Sequence, residues 1–208
     1  MPKLVPKVIL EGTRLTWKTE IALALNEHPR LVGPRKYRYH SPVISAEWCG
    51  FSNEPWGRGL INYLPEEETR AMETYAAWAT IFENLRYYSW MVDRFHLSTR
   101  AWQRRHRGHD PELGWLEERL QALGFRLVLC ARDAASFAAA RARRLEVSGN
   151  PSQYDDLEVF VGEQELFREL AASSRLERLE LDVSDDDVPA AADRIADWLA
   201  ATGGLTSD

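Results

Sequence analysis

Short, continuously apolar runs alternate with longer amphipathic segments along this chain. Apolar runs at 7–11, 90–92 and 125–130 are typical of parallel strands that are covered on both faces. Further strands are predicted at 30–33, 43–46 and 176–183, and helices at 19–25, 65–88, 113–123, 134–144, 157–173 and 188–199. Because strands alternate with helices, we expect an α/β fold with a parallel sheet and helices on both faces.

Residues 34–64 break this pattern. Prolines and glycines interrupt the segment, and aromatic residues are scattered through it at Tyr37, Tyr39, Trp48, Phe51, Trp56 and Tyr63. Apart from the strand at 43–46 we expect irregular structure that faces a substrate, with Trp48 and Trp56 placed to stack on a ring. No internal repeat or low-complexity tract divides the chain, so we expect one domain over 1–208.

Composition narrows the class of protein. With 45% apolar and 28% charged residues, the chain can bury one substantial core. No apolar run reaches the roughly 18 residues that a membrane span needs, and no export signal is evident, so we expect a cytoplasmic protein without a membrane partner. A net charge of −6 gives no general attraction to nucleic acid. Arginines nevertheless cluster at 94–107 and 141–144, either on solvated helix faces or at a site for phosphate compounds.

The main chemical motif follows the first strand. Gly12, Lys18 and Thr19 have the spacing of a phosphate-binding loop, in which a glycine is followed by four residues, a glycine, a lysine and a serine or threonine. In such a loop backbone amides surround an anion, the lysine contacts the β- and γ-phosphates, and the hydroxyl binds magnesium. Trp17 stands where the second glycine belongs. The candidates for binding donor phosphates are Gly12, Thr13, Thr16, Trp17, Lys18 and Thr19.

The carboxyl ends of parallel strands meet at one edge of the sheet, and ligands bind there. This rule brings three segments together: 11–19, 93–94 and 131–133. We therefore expect Asp93 and Arg94 to lie beside the loop that contains Lys18.

The segment from 92 to 103 resembles a motif of thymidylate kinases, which runs aspartate, arginine, an aromatic residue or histidine, L-S-T and A-Y-Q. The matching residues here are Asp93, Arg94, Leu97, Ser98, Thr99, Ala101 and Gln103. That family also has the motif E-G-x-D/E-G-x-G-K-T after its first strand. Glu11, Gly12, Lys18 and Thr19 match this motif. The residues at 75–77 and 136–144 resemble its intervening helix and the start of its lid.

The resemblance implies a P-loop NTPase-type three-layer sandwich with a five-stranded parallel sheet and a lid near 141–156. It implies ATP with Mg²⁺ as donor, a nucleoside monophosphate as acceptor and a homodimer. Lys18 would contact the donor phosphates, and Thr19 and Asp93 would lie at the metal. Arg94 would hold the acceptor phosphate and Gln103 would face the acceptor base. The lid arginines would spread over the transferred phosphoryl group: Arg141, Arg143 and Arg144.

Several positions depart from the family pattern. Leu15 and Trp17 replace two loop glycines, and Arg14 stands at a usually acidic place, where it could act as a further catalytic cation. Trp78 replaces an arginine that engages the acceptor. Glu54, in a glutamate-proline pair about twelve residues late, is only a loose match to another acceptor residue. These changes make thymidylate itself a doubtful substrate.

Three functions stay open at this point. The first is a kinase of a nucleotide or nucleoside-like molecule. The second is a phosphotransferase acting on another compound, such as an antibiotic or a biosynthetic intermediate. The third is a nucleotide-binding protein that has lost turnover, because two loop glycines are missing. His96, His106 and His109 match no compact set of metal ligands, and we expect them on an exposed basic helix and loop.

Overall fold

The computed structural model describes residues 3–33, 43–52 and 58–206. Its five strands form one all-parallel sheet in the order β2-β3-β1-β4-β5. The strands are β1 (Lys7–Glu11), β2 (Val43–Ser45), β3 (Trp90–Asp93), β4 (Arg126–Ala131) and β5 (Glu177–Asp182). The fold class expected from the sequence is confirmed.

Helices cover both faces of this sheet. They are α1 (Lys18–Glu27), α2 (Pro29–Val32), α3 (Glu68–Asn84), α4 (His96–Arg107), α5 (Gly114–Ala122), α6 (Phe137–Leu145), α7 (Leu157–Ala172) and α8 (Val188–Ala201). Successive side chains of a strand point to opposite faces, so a run of apolar residues supplies two cores at once. Ile9 packs into a core with α3, α5 and α7, while Val8 and Leu10 pack into a second core with α1 and α8.

The register of the strands places the site. Leu10 lies opposite Asp93 on one side of β1, and Glu11 lies opposite Leu129 on the other. The chain therefore leaves β1, β3 and β4 side by side at the same edge of the sheet, as the sequence predicted.

One predicted strand is wrong. Residues 30–32 belong to the short helix α2, which Gly33 caps, because Pro29 occupies its first turn, where a proline costs no hydrogen bond. The sequence pattern does not predict the bounds of helix α4, because the many charged residues at 94–107 obscure its apolar face.

Several sequence-level candidates lie outside the described residues: Tyr37, Tyr39, Glu54 and Trp56. Within the ranges that the structure describes, no helix combines the length and the apolar character that crossing a membrane demands.

Candidate active site

The loop between β1 and α1 begins with a glycine that no other residue could replace without a shift. Gly12 has a φ of 141°, and a Cβ added there would lie 2.4 Å from the carbonyl oxygen of Cys130. The close approach of this backbone to the end of β4 explains why glycine is required.

The same loop keeps a conformation that normally needs glycine at two further positions. Leu15 and Trp17 have φ values of 65° and 54°, and they stand where the resemblance places glycines. Each left-handed residue other than glycine costs roughly 1–2 kcal/mol. The loop therefore retains its backbone shape at an energetic cost.

Both unusual side chains have partners that offset this cost. Leu15 is 8% exposed and packs in a small cluster with Phe137 of α6 and Phe160 of α7. The indole Nε1 of Trp17 donates to Asp186 Oδ1 at 2.5 Å. These contacts hold the loop to α6, α7 and the segment that precedes α8.

Lys18 is buried at the start of α1. Its Nζ donates to the carbonyl oxygen of Thr13 and, at 3.0 Å, to Thr16 Oγ1, which in turn donates to the Thr13 carbonyl at 2.8 Å. Burial, and secondly the nearby charge of Arg94, lowers the pKa of Lys18 to about 8. No carboxylate of the described residues forms an ion pair with this ammonium group, although the charges of Asp93 and Glu47 act on it from nearby, so an arriving anion would not have to displace a paired carboxylate.

Thr19 and Asp93 form a pair of oxygen ligands beside this lysine. Thr19 Oγ1 donates to Asp93 Oδ2, and the buried Oδ1 of Asp93 has no hydrogen-bond partner among the described residues. Hydroxyl and carboxylate oxygens suit Mg²⁺, which is commonly held by one or two protein ligands together with substrate phosphates. The described residues contain no group of three or more His, Cys, Asp or Glu side chains that could hold a metal by themselves. The two residues therefore fit Mg²⁺ bound with a phosphate compound.

Arg94 follows β3 and pairs with a residue that sequence reasoning missed. Its Nε lies 3.1 Å from Oε1 of Glu47, and its own φ is 60°. Glu47 lies just beyond the carboxyl end of β2, so the rule that selected Asp93 and Arg94 could also have selected it.

Among the described residues, a smaller and a larger cavity lie at this edge of the sheet and share three charged side chains. A cavity of about 250 Å³ lies over the loop and the first turn of α1, and one of about 550 Å³ lies between α4, α7 and the segment 59–62. Arg14, Glu47 and Arg94 line both cavities. A group bound over Lys18 would therefore be adjacent to a molecule in the larger cavity.

The larger cavity has a mixed lining. Arg105 and Glu163 supply charge, and Trp102 and His106 supply stacked rings whose centroids lie 4.5 Å apart. Thr13 Oγ1 donates to Glu163 Oε2, which joins the loop to α7. Arg105 and Glu163 were not among the sequence candidates, because neither position forms part of a local motif.

Solved structures with the same fold clarify this arrangement. YorR from Bacillus subtilis, solved in complex with phosphorylated GDP, is 20% identical, with 94% of this chain and 96% of YorR covered and a TM-score of 0.63. Thymidylate kinase from Candida albicans is 12% identical, with 99% and 96% covered and a TM-score of 0.54. A sugar kinase from Janibacter is 11% identical, with 98% and 99% covered and a TM-score of 0.54. No family model matches the sequence, and no curated protein matches it significantly.

The chain has the P-loop kinase fold. The loop at 12–17 joins the central strand β1 to α1, where the sequence predicts a phosphate-binding loop.

The arginines predicted for the lid differ in their positions. Arg144 lines the cavity over the loop at 12–17 and pairs with Glu20 at 3.1 Å. Arg141 instead binds the carbonyl of Tyr154 and the carboxylate of Asp155, at 2.8 Å each, and lines neither cavity. Arg143 is 3.5 Å from Asp186 Oδ2. In this conformation only Arg144 of the three reaches the site.

Two of the residues predicted to bind the acceptor are not brought to either cavity. Gln103 is fully buried, and its amide donates to the carbonyls of Ile61 and Tyr63, so it fixes the wall of the larger cavity from behind. Trp78 packs on Phe82 of the core and donates to Cys49 Sγ at 3.3 Å. Neither residue lines the larger cavity. Glu54 falls outside the described residues.

Proposed function

We propose that this protein is a kinase that transfers the γ-phosphate of ATP, bound with Mg²⁺, to a nucleotide or nucleoside-like small molecule. The observation that carries the proposal is the meeting of two cavities at Arg14, Glu47 and Arg94, one of them over Lys18 and Thr19. A donor phosphate and an acceptor can thus lie side by side.

On the donor side, the protein contributes position and charge. The amides at the start of α1 and the ammonium group of Lys18 bind the phosphate chain. Thr19 and Asp93 would hold the metal, which offsets charge on the phosphate oxygens when it is bound. Phosphoryl transfer requires little else from a protein than positioning and electrostatic stabilisation.

At the junction, Arg14 and Arg94 stabilise the charge that spreads over the transferred group. Arg14 is exposed and forms no ion pair with the described carboxylates, so it is available to a phosphate. The acceptor attacks from the larger cavity, in line with the bond that breaks.

The class of acceptor depends on Glu47, which already pairs with Arg94. An acceptor that carries a phosphate has to displace Glu47 from Arg94, whereas an acceptor that reacts through a hydroxyl can give its proton to Glu47. A nucleotide acceptor is supported by the resemblance of 92–103 to thymidylate kinases. The two carboxylates in the larger cavity, Glu47 and Glu163, favour a second candidate, a kinase of a hydroxyl compound that is not a nucleotide.

A nucleotide-binding protein without turnover is less well supported. Leu15 and Trp17 keep the left-handed conformations of the missing glycines, so the loop has preserved its shape rather than collapsed.

The test is transfer of labelled γ-phosphate from ATP over a panel of nucleoside monophosphates, nucleosides and sugars, with wild type and Glu47→Gln. For a hydroxyl acceptor we expect Glu47→Gln to lower kcat by about 10²–10⁴-fold, because the proton acceptor is lost. For a phosphate acceptor we expect kcat to be kept and KM to fall, because Arg94 is freed. Glu73→Gln, on the exposed face of α3, is the matched control. Absence of transfer to every acceptor would contradict the proposal.

Several properties remain predictions from the sequence: a cytoplasmic location, a single domain, a homodimer, and the absence of nucleic-acid and membrane partners.

A further inference from the structure

The cavity over the phosphate-binding loop is small for a complete nucleotide. Its volume of about 250 Å³ lies below the roughly 300–1,000 Å³ of pockets that enclose a drug-sized ligand. Its lining comes from residues 14–20, the junction residues Glu47 and Arg94, and the lid residues Arg144, Gln153 and Tyr154. It can enclose a chain of phosphates, and the rest of a nucleoside triphosphate has to lie beyond it.

The sheet limits where the nucleoside part of the donor triphosphate can lie. The larger cavity occupies the side of β1 toward β3 and β2, and the acceptor takes this side. A donor nucleoside must therefore extend along the other side, past the ends of β4 and β5.

The crevice on that side is closed by hydrogen bonds between the segments that follow β4 and β5. The backbone N–H of Asp133 donates to Ser184 Oγ at 2.7 Å. The guanidinium group of Arg132, which is 0% exposed, donates to the carbonyl of Val183 at 2.9 Å and to Asp186. A base that entered between these two segments would have to break these hydrogen bonds.

Trp17 completes the closure. Its indole packs against the core formed with α1 and α8 and donates to Asp186 Oδ1 at 2.5 Å, and Trp17 is one of the residues that line the phosphate cavity. Asp186 is thereby engaged by Trp17, Arg132 and, at 3.5 Å, Arg143. Asp186 Oδ1 thus accepts from both Trp17 and Arg132, which ties the indole to the segment that follows β5. The left-handed conformation of Trp17 is the kind of retained strain that occurs at functional sites.

We infer that Trp17 determines donor specificity: its indole ends the donor site at the phosphate chain, so the protein accepts nucleoside triphosphates with little regard to their base. The inference rests on the proposed function. Recognition comes from the phosphate charge, which Lys18, Arg14 and Arg144 bind, and from the metal at Thr19; no described residue lining this cavity is placed to read a purine or a pyrimidine.

The test is equilibrium binding by calorimetry of five ligands with Mg²⁺: ATP, GTP, CTP, UTP and inorganic tripolyphosphate. We expect wild-type dissociation constants within about tenfold of one another, because a site without directed hydrogen bonds discriminates weakly. A spread greater than about tenfold would overturn the inference. If none of the five bound, the phosphate-binding role of the loop would fail, and the inference with it.

Two variants separate the role of the indole from that of the loop. Trp17→Gly removes the wall at a position whose φ suits glycine, so we expect ATP to gain at least about fivefold in affinity relative to tripolyphosphate. Trp17→Phe keeps an aromatic wall without the N–H, and we expect the wild-type ratio. An unchanged ratio in Trp17→Gly, with folding verified by thermal unfolding, would remove Trp17 as the determinant.

Discussion

At Leu15 the left-handed backbone should make a glycine variant more stable than an alanine variant, which is the reverse of the usual order. Leu15→Ala loses a buried side chain and keeps a left-handed residue with a Cβ, whereas Leu15→Gly loses the same side chain and relieves roughly 1 kcal/mol of strain. We therefore expect urea unfolding to show Leu15→Gly as the more stable of the two by about 1 kcal/mol. Elsewhere in the fold, as at the helical position Ala79, glycine should be worse than alanine. Leu15→Ala as the more stable variant would show that the loop is not left-handed at this residue.

Lys18 should make phosphate binding depend on pH. Its pKa of about 8 in the free protein means that the amine loses its charge above pH 8, while a bound phosphate chain favours the charged form. Affinity for tripolyphosphate should therefore fall as pH rises from 8 toward 10, with proton uptake on binding near pH 8. The adjacent thiol of Cys130 has a pKa raised by burial to about 12 and does not titrate in this range.

The measurement is calorimetry in buffers of different ionisation enthalpy, with Lys18→Arg as the control. Arginine stays charged throughout, so that variant should lose the dependence on pH. A wild-type affinity that is constant from pH 7 to 10 would show that Lys18 does not meet the phosphates.

At the level of elements, one carboxylate fixes the start of α4. Glu11 is fully buried at the end of β1 and accepts from the backbone N–H groups of Phe95, Leu97 and Ser98 and, at 2.5 Å, from Ser98 Oγ. Since the first amides of a helix lack partners within it, this side chain aligns α4 and the segment containing Arg94 with the phosphate-binding loop.

Removing the carboxylate of Glu11 should lower the free energy of unfolding more than removing one of its hydrogen-bond donors. We expect Glu11→Ala to lower the free energy of unfolding by about 2–4 kcal/mol, because several buried amides lose their acceptor. Ser98→Ala, which deletes one hydroxyl donor, should cost about 1 kcal/mol. Urea unfolding of both variants provides the comparison, and equal losses would mean that Glu11 does not anchor the helix.

The sequence predicted correctly those elements that are defined by a short, continuous pattern of residues. The apolar run at 8–10 identified β1, and the strand-loop-helix order identified the residues around Lys18. It failed at 30–33, where a run of four residues is too short to distinguish strand from helix. It also missed Glu47, to which the rule for strand ends applies, and it did not single out Arg105 or Glu163, because the larger cavity is assembled from segments far apart in sequence.

Across the whole molecule, a buried pair links three helices. His96 Nε2 lies 2.9 Å from Glu117 Oε1, and the same carboxylate of α5 accepts from Ser174 Oγ and from the backbone of Arg175 after α7. Burial alone would raise the pKa of Glu117, but the hydrogen bond and charge of His96, with these other donors, hold it at about 2.

Acid should therefore weaken the fold through Glu117. A lowered folded-state pKa gives stability that is complete above the unfolded value near 4.5 and is lost as pH falls toward 2. The loss should be about 3 kcal/mol for this group. Urea unfolding at pH 6 and pH 3 should show a smaller difference for Glu117→Gln than for wild type. Glu73→Gln, on an exposed face, should behave like wild type; a Glu117→Gln protein as acid-sensitive as wild type would contradict the assignment.

Lys18 is expected to act in phosphoryl transfer and not to be required for folding. A second buried lysine, Lys7, provides the matched comparison. Lys7 lies at the opposite end of β1, away from both cavities, and burial, with the charge of Arg86, likewise lowers its pKa to about 8. The decisive measurement is kcat for γ-phosphate transfer, per folded protein, in Lys18→Ala and Lys7→Ala. We predict a loss of at least about 100-fold for Lys18→Ala and a kcat within about threefold of wild type for Lys7→Ala. A Lys18→Ala enzyme that retains nearly wild-type turnover would contradict the account.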